Sequence, residues 1–152
     1  MDTVHDFEDL LELLERHEVQ YLIIGGLAFI FHAKPRYTKD MDLWIGPSTE
    51  NIDRANQALV AFGSPHLLDA AQPEEILQIG VAPNRIDLLK RPGRVDFETA
   101  WPRRIVGSYG SARAYWIDLD SLIAIKSGID HPRHQEDARI LKMVRDNRGD
   151  GD

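Results

Sequence analysis

Three aspartates occur in a pattern that suits metal binding. Asp40 and Asp42 stand two residues apart where polar and apolar residues alternate, and Asp87 stands between two apolar residues further along the chain. Alternate side chains of a strand point to one face, so Asp40 and Asp42 are expected to lie side by side. A divalent cation removes the repulsion between such charges. If the strand of Asp87 is adjacent, three carboxylates converge and can hold two ions, Mg²⁺ or Mn²⁺, for an in-line displacement at phosphorus. The alternative interpretation is that these aspartates are acidic residues on an exposed strand face and bind no metal.

A pair of glycines follows a short apolar run and precedes a second one. Residues 21–24 predict a buried strand, and residues 27–33 predict a buried helix that begins at Gly25 and Gly26 and ends before Pro35. Free N–H groups at a helix start bind anions, and a residue without Cβ lets a phosphate approach the backbone. The pair is therefore a candidate phosphate site, with a simple turn as the alternative.

The rest of the pattern predicts the elements that must position these residues. Helices are expected at about residues 6–17, 48–62, 118–129 and 134–147, and strands at 40–45, 85–89, 105–106 and 114–117, while 73–80 is ambiguous. We therefore expect an α/β (α+β) fold, with a small mixed β-sheet flanked by helices and two helices in the C-terminal part. Residues 1–147 are predicted to form a single domain, and residues 148–152 a frayed tail.

The order of these parts resembles a known family. Residues 21–45 (YLIIGGLAFIFHAKPRYTKDMDLWI) are similar to the core motif of the DNA polymerase β-like nucleotidyltransferase superfamily, and look most like its bacterial toxin–antitoxin and abortive-infection branch. The resemblance implies the nucleotidyltransferase fold and a nucleoside triphosphate (NTP) whose phosphates lie over Gly25 and Gly26. It also implies metal binding by Asp40, Asp42 and Asp87. In outline the resemblance extends from residue 20 to residue 137.

A second, weaker resemblance lies near the C-terminus. Related chains carry a helix lysine, matched by Lys126, and then a charged motif that opens the next helix, in which Asp137 fits. His131 and His134 replace the usual Arg and Asp of that motif. The resemblance implies that Lys126 meets the nucleotide phosphates, and a lysine that merely extends to solvent is the alternative. The two histidines also suggest zinc, but no third ligand occurs at a telling spacing.

The segment that leads into the first aspartate completes the candidate site. Three basic residues are candidate counter-charges for the leaving pyrophosphate: Arg36, Lys39 and Lys126. Thr38 lies between Arg36 and Lys39 and is a further candidate for nucleotide binding. Tyr37 is a candidate for a base or ribose contact. The three tryptophans could stack on a base, although aromatic residues in short strands more often belong to the core.

Composition narrows the classes of partner. The chain has 152 residues, 43% of them hydrophobic, no cysteine and a formal net charge of −7. This charge argues against duplex DNA and disfavours tRNA, because both bind basic surfaces. The seven basic residues between positions 85 and 113 are interpreted as a solvated surface, with a local basic cleft as the alternative. No stretch approaches the length of a membrane helix and no signal-peptide pattern occurs, so we expect a cytoplasmic protein without a membrane partner.

Three functions remain. The first is an Mg²⁺-dependent enzyme that moves a nucleoside monophosphate from an NTP to a hydroxyl of a protein, tRNA or small molecule, with a cognate toxin or antitoxin as a partner. The second is an inactive protein of the same fold that acts as an interaction or antitoxin partner. The third is a regulatory or structural domain in which the aspartates are surface acids.

Overall fold

The sequence folds around one mixed β-sheet. The computed structural model describes residues 3–81 and 84–150. The helices are α1 (His5–Arg16), α2 (Gly25–His32), α3 (Thr49–Phe62), α4 (Phe97–Ala100), α5 (Leu119–Ser127) and α6 (Pro132–Asp150), with a 3₁₀-helix at Trp101–Arg103. The strands are β1 (Tyr21–Ile24), β2 (Asp40–Ile45), β3 (Ile76–Ile79), β4 (Arg85–Leu89), β5 (Ile105–Tyr109) and β6 (Ala112–Trp116). The predicted fold class is confirmed.

The strand order places the two aspartate-bearing strands side by side. The sheet runs β3-β4-β2-β1-β6-β5. Strands β2 and β4 are parallel, as are β1 and β6, and the other neighbouring pairs are antiparallel. This adjacency is the condition that the sequence left open for the convergence of the carboxylates.

Local sequence explains where the helices begin and end. In α1, Phe7, Leu10, Leu11 and Leu14 are buried and share one helical face. Helix α3 is capped at its start by Ser48, whose hydroxyl accepts a hydrogen bond from the backbone N–H of Asn51, and at its end by a left-handed glycine, Gly63. Helix α5 is capped in the same way, because the carboxylate of Asp118 accepts from the N–H of Ser121.

Several elements differ from the sequence prediction. The ambiguous segment 73–80 contains the strand β3, and the two predicted strands near residues 105 and 114 are longer and form a hairpin. Its turn depends on Gly110, which has a φ of 58°. Helix α4 and the 3₁₀-helix were not predicted. Helix α6 begins at Pro132 and continues to Asp150, past the predicted end at residue 147, while Gly151 and Asp152 of the predicted tail lie outside the described residues.

No helix in the described parts of the chain combines the length and apolar character that crossing a membrane requires.

Candidate active site

Four charged side chains form a square on one face of the sheet. In the register of β2 and β4, Asp40 lies opposite Arg85 and Asp42 lies opposite Asp87. Because the two positions on each strand are two residues apart, all four side chains point to the same face. The opposite face of both strands carries apolar residues of the core. The strand register therefore places the three aspartates on one face of neighbouring strands, as the sequence predicted.

Arg85 bridges two of the three carboxylates. Its Nη2 donates to Oδ2 of Asp40 at 3.0 Å and to Oδ2 of Asp87 at 3.2 Å, and its Nε donates to Oδ1 of Asp87 at 3.0 Å. The paired carboxylates raise the pKa of the guanidinium further. The sequence predicts Arg85 on a solvated basic surface, whereas the structure places it between two carboxylates. Its position two residues before Asp87 on a strand was the signal that could have placed it in the site.

The carboxyl group of Asp42 is strongly perturbed by its surroundings. Burial, followed by the charges of Asp87 and Asp40, raises its pKa to about 7, and the charge of Lys126 opposes the shift. Unlike Asp40 and Asp87, Asp42 is not paired with Arg85. An ionised Asp42 therefore adds a negative charge that Arg85 does not neutralise.

The glycine pair brings the backbone against this acidic face. Gly25 has a φ of 68°, and a Cβ built on it would lie 2.1 Å from Oδ2 of Asp42. A Cβ on Gly26 would lie 2.6 Å from the hydroxyl of Thr38. Both glycines occupy the first turn of α2, which has no side-chain cap. A side chain at Gly25 would thus displace Asp42, and the helix start is left open to an anion.

Lys126 reaches the same pocket from α5. A pocket of about 240 Å³ is lined by Gly25, Asp42, Asp87, Gln78, Lys126 and His134, together with apolar side chains. Lys126 is 4% exposed, and its Nζ donates to Oδ2 of Asp137 at 3.0 Å and to Nδ1 of His134 at 3.2 Å. Burial lowers the pKa of Lys126, while its bond to Asp137 opposes this. Sequence reasoning missed Gln78, which lies opposite Asp87 in the register of β3 and β4.

The acidic face carries carboxylate oxygens of the kind that bind a divalent cation, but among the described residues they are not arranged as a complete metal-binding group. Asp40 Oδ1 is buried and has no hydrogen-bond partner among the described residues, and carboxylate oxygens are the ligands that Mg²⁺ prefers. Within residues 3–81 and 84–150, however, no group of three or more His, Cys, Asp or Glu side chains is arranged to hold a metal ion. The histidines at 131 and 134 have ring centroids 5.8 Å apart and likewise form no such group.

Arg36 lies in an ion pair outside this pocket. Its guanidinium donates to both carboxylate oxygens of Asp137, at 2.7 and 3.0 Å, and stacks over the ring of Phe29. Burial disfavours the charge on Asp137, but the hydrogen bonds from Arg36 and Lys126 lower its pKa overall. Asp137 thus joins α6, α5 and the segment before β2.

The segment before β2 lines a second and larger cleft. The cleft measures about 700 Å³, and Arg36, Tyr37, Thr38 and Lys39 are all at its wall. Its other lining residues are mainly apolar: Val4, Phe7, Leu27, Ile30, Pro35 and Tyr109, with Thr3 and Asn84. The structure therefore divides the predicted nucleotide-binding residues between two neighbouring hollows.

Of the remaining basic residues between positions 85 and 113, Lys90, Arg91 and Arg94 line one hollow of about 370 Å³. Lys90 is 5% exposed and donates to Glu75 and to two backbone carbonyls. The others with described ion pairs or stacking have separate partners: Arg91 with Glu74, Arg103 with Asp118 and Asp120, Arg104 with Trp101, and Arg113 with Glu15. Trp44 and Trp116 are buried in the core.

Solved structures that match the architecture of this chain include an adenylyltransferase and a nucleotidyltransferase-like protein. The lincomycin-bound lincosamide antibiotic adenylyltransferase LnuA matches with a TM-score of 0.62 at 16% identity, over 94% of this chain and 99% of that one. ANT(2")-Ia in complex with adenylyl-2"-tobramycin matches with a TM-score of 0.57 at 13% identity, over 91% and 90% of the two chains. An antigenic nucleotidyltransferase-like protein from Paracoccidioides brasiliensis matches with a TM-score of 0.52 at 14% identity, over 91% and 73%.

These similarities concern the fold. No protein-family model matches the chain, and no curated protein matches it in sequence. The chain has a nucleotidyltransferase fold, as the resemblance of residues 21–45 implied. The toxin–antitoxin branch stays a prediction.

Proposed function

We propose that this chain transfers a nucleoside monophosphate from an NTP to a hydroxyl group of a small molecule, in a reaction that requires Mg²⁺ or Mn²⁺. One observation carries the proposal. On a nucleotidyltransferase fold, Asp42 lies opposite Asp87 in the sheet and directly against Gly25, at the open start of a helix. This arrangement would bring an anion site and acidic metal ligands together.

The NTP would bind with its phosphates over the helix start. The backbone N–H groups of Gly25 and Gly26 would donate to phosphate oxygens, and the N-terminal end of the helix dipole would favour their negative charge. Lys126 faces the same pocket and would supply a positive charge from α5. A cation held by Asp40 and Asp42 would neutralise charge on the phosphates.

The transfer would be an in-line displacement. The acceptor hydroxyl oxygen forms a bond to the α-phosphorus, and the bond from that phosphorus to the oxygen bridging to the β-phosphate breaks. The electron pair leaves with pyrophosphate, and the hydroxyl proton passes to the carboxylate of Asp87, which keeps free lone pairs beside its bonds from Arg85. Positioning and charge neutralisation would supply most of the rate enhancement.

We place the acceptor in the 700 Å³ cleft beside Thr38 and Lys39. Its volume is in the usual range for small-molecule sites, and its wall is largely apolar. One of the matched structures is a lincosamide antibiotic adenylyltransferase with lincomycin bound, and another holds adenylyl-2"-tobramycin. ATP is therefore the first donor to test, and the net charge of −7 favours a small molecule over tRNA.

Calorimetry tests the proposal directly. The purified protein would be titrated with each of the four ribonucleoside triphosphates, with and without Mg²⁺, beside an Asp40→Asn/Asp42→Asn variant. We expect Mg²⁺-dependent binding that the variant loses. The matched control is Asp53→Asn, which removes an exposed carboxylate of α3 and should bind as the wild type does.

Activity gives a second criterion. Asp42→Asn should abolish release of pyrophosphate while the protein stays folded. Retained activity would contradict the assignment of Asp42 to the active site. If no NTP binds under any condition, the alternative of a non-catalytic interaction or antitoxin protein is favoured, and a cognate partner becomes the next target.

A further inference from the structure

Arg85 occupies one corner of a square whose other corners are carboxylates. It satisfies both oxygens of Asp87 and one oxygen of Asp40. The side chain is only 35% exposed, so this pairing takes place in a partly enclosed site. The guanidinium is a planar fork that is always charged, and it can bond two carboxylates at once.

The pairing leaves a defined part of the acidic site open. Oδ1 of Asp40 is buried without a partner in the described chain, and the carboxylate of Asp42 lies between Asp87 and the glycine pair. With all three carboxylates ionised, three carboxylates and one guanidinium together leave two net negative charges. One divalent cation balances this remainder, whereas two would leave the site with excess positive charge before any nucleotide arrives.

The sequence alone predicts two metal ions, because three carboxylates can hold a pair. The structure adds a fourth member to the set, on the same face and in register with Asp40. We propose that Arg85 takes the place of a second metal ion, so that the site holds a single divalent cation at Asp40 and Asp42. This inference rests on the proposed function, since it assumes that these aspartates bind a metal.

Arg85 would also position Asp87. Its bonds to both oxygens of Asp87 hold that carboxylate in one orientation. A second metal would perform the same positioning in a site that lacked the arginine. Arg85 would thus supply both the positive charge and the orientation of Asp87 that a second cation would otherwise provide.

Metal stoichiometry tests the inference without relying on turnover. Free Mn²⁺ is followed by its electron paramagnetic resonance signal while the protein is titrated in the absence of nucleotide. We expect one bound Mn²⁺ per wild-type chain and two per Arg85→Gln chain. Arg91→Gln is the control, because it removes the same charge from an exposed pair with Glu74 and should leave one ion bound.

Two results would overturn the inference. Two ions in the wild type would show that Arg85 does not replace a metal, whatever the variant does. An unchanged number in a folded Arg85→Gln protein, checked by circular dichroism, would do so as well. Mg²⁺-dependent NTP binding is measured on the same samples: if it is present, the proposed function stands even when the stoichiometry contradicts the role of Arg85, and if it is absent, the proposed function fails.

Discussion

At the scale of single residues, Asp42 carries an unfavourable charge in the metal-free protein. Its pKa is raised to about 7 from an ordinary 3.8. Well below pH 3.8 the group is protonated in both the folded and the unfolded state, and its burial then costs no charge desolvation. Between about pH 4 and 7 the unfolded state loses the proton first, so stability falls as the pH rises and is lowest above about pH 7.

The fall in stability with rising pH leads to a prediction for Asp42→Asn in the presence of a metal chelator. The variant should be more stable than the wild type at pH 8, by roughly 1–3 kcal/mol, and the difference should shrink toward pH 4. Urea unfolding at several pH values measures it. Asp53→Asn, at an exposed position, should show no such gain. A variant less stable than the wild type at pH 8 would contradict the assigned burial and repulsion.

Alanine substitutions at Gly25 and Gly63 should separate the effect of backbone strain from damage to the site. Gly25 and Gly63 both have a positive φ, but only at Gly25 would a Cβ meet a neighbour, since nothing lies within 4 Å at Gly63. Either substitution to Ala should cost roughly 1 kcal/mol or more through strain. Only Gly25→Ala should also lose Mg²⁺-dependent NTP binding, because it displaces Asp42. Calorimetry and thermal unfolding of both variants distinguish the two effects, and equal binding in both would contradict the proposed role of the glycine.

The residues of the site were predictable to different degrees. The alternation in β2 and β4 predicted that Asp40, Asp42 and Asp87 share a face, and their convergence needed only the adjacency of the strands. The role of Arg85 depends on that same adjacency, because its partner Asp40 lies 45 positions away in sequence. The pairing of Arg36 with Asp137 spans 101 positions, and no local pattern indicates it.

At the scale of elements, helix α2 is joined to the end of β6 through a histidine. His32 is 4% exposed, and its Nε2 donates to the backbone carbonyl of Ile117 at 2.7 Å. Its Nδ1 is buried and has no partner among the described residues. Burial lowers the pKa of His32, although the bond to Ile117 and the charge of Asp118 oppose the shift. The folded protein therefore holds this ring neutral.

The consequence is an acid-sensitive contact between these elements. Below about pH 6.5 the unfolded chain binds a proton at His32 and the folded chain does not, so stability is lost as the pH falls. His32→Gln, whose amide can still donate to Ile117, should lose less stability between pH 7.5 and 5.5 than the wild type. His66→Gln, in an exposed loop, should behave as the wild type does. Parallel pH profiles for wild type and His32→Gln would contradict the expectation.

Elements with strong local signals were predicted and those that depend on distant pairing were not. Serine and glycine caps marked α3, and the apolar spacing marked α1. Strand β3 is an edge strand with Ile76 exposed, so it lacks the buried pattern that identifies a strand. Its existence follows from pairing with β4, which the order of residues along the chain does not reveal.

At the scale of the whole molecule, one buried carboxylate connects three separate parts of the fold. Asp137 on α6 is 3% exposed and bonds Arg36, before β2, and Lys126, on α5. Because Lys126 also lines the candidate NTP pocket, the position of the last helix is coupled to the site. Removing one charge from such a buried set leaves the others uncompensated.

Asp137→Asn should therefore destabilise the protein by about 3 kcal/mol or more and weaken Mg²⁺-dependent NTP binding together. Asp120→Asn is the matched control, because Asp120 pairs with Arg103 in an exposed bridge, where a loss of about 0–1 kcal/mol is expected. Urea unfolding at pH 7 and calorimetry with ATP measure the two effects. If Asp137→Asn binds ATP with wild-type affinity although it is destabilised, the network supports only the packing of α6 and Lys126 does not contact the phosphates. If it is no less stable than Asp120→Asn, the buried network does not hold the three parts together.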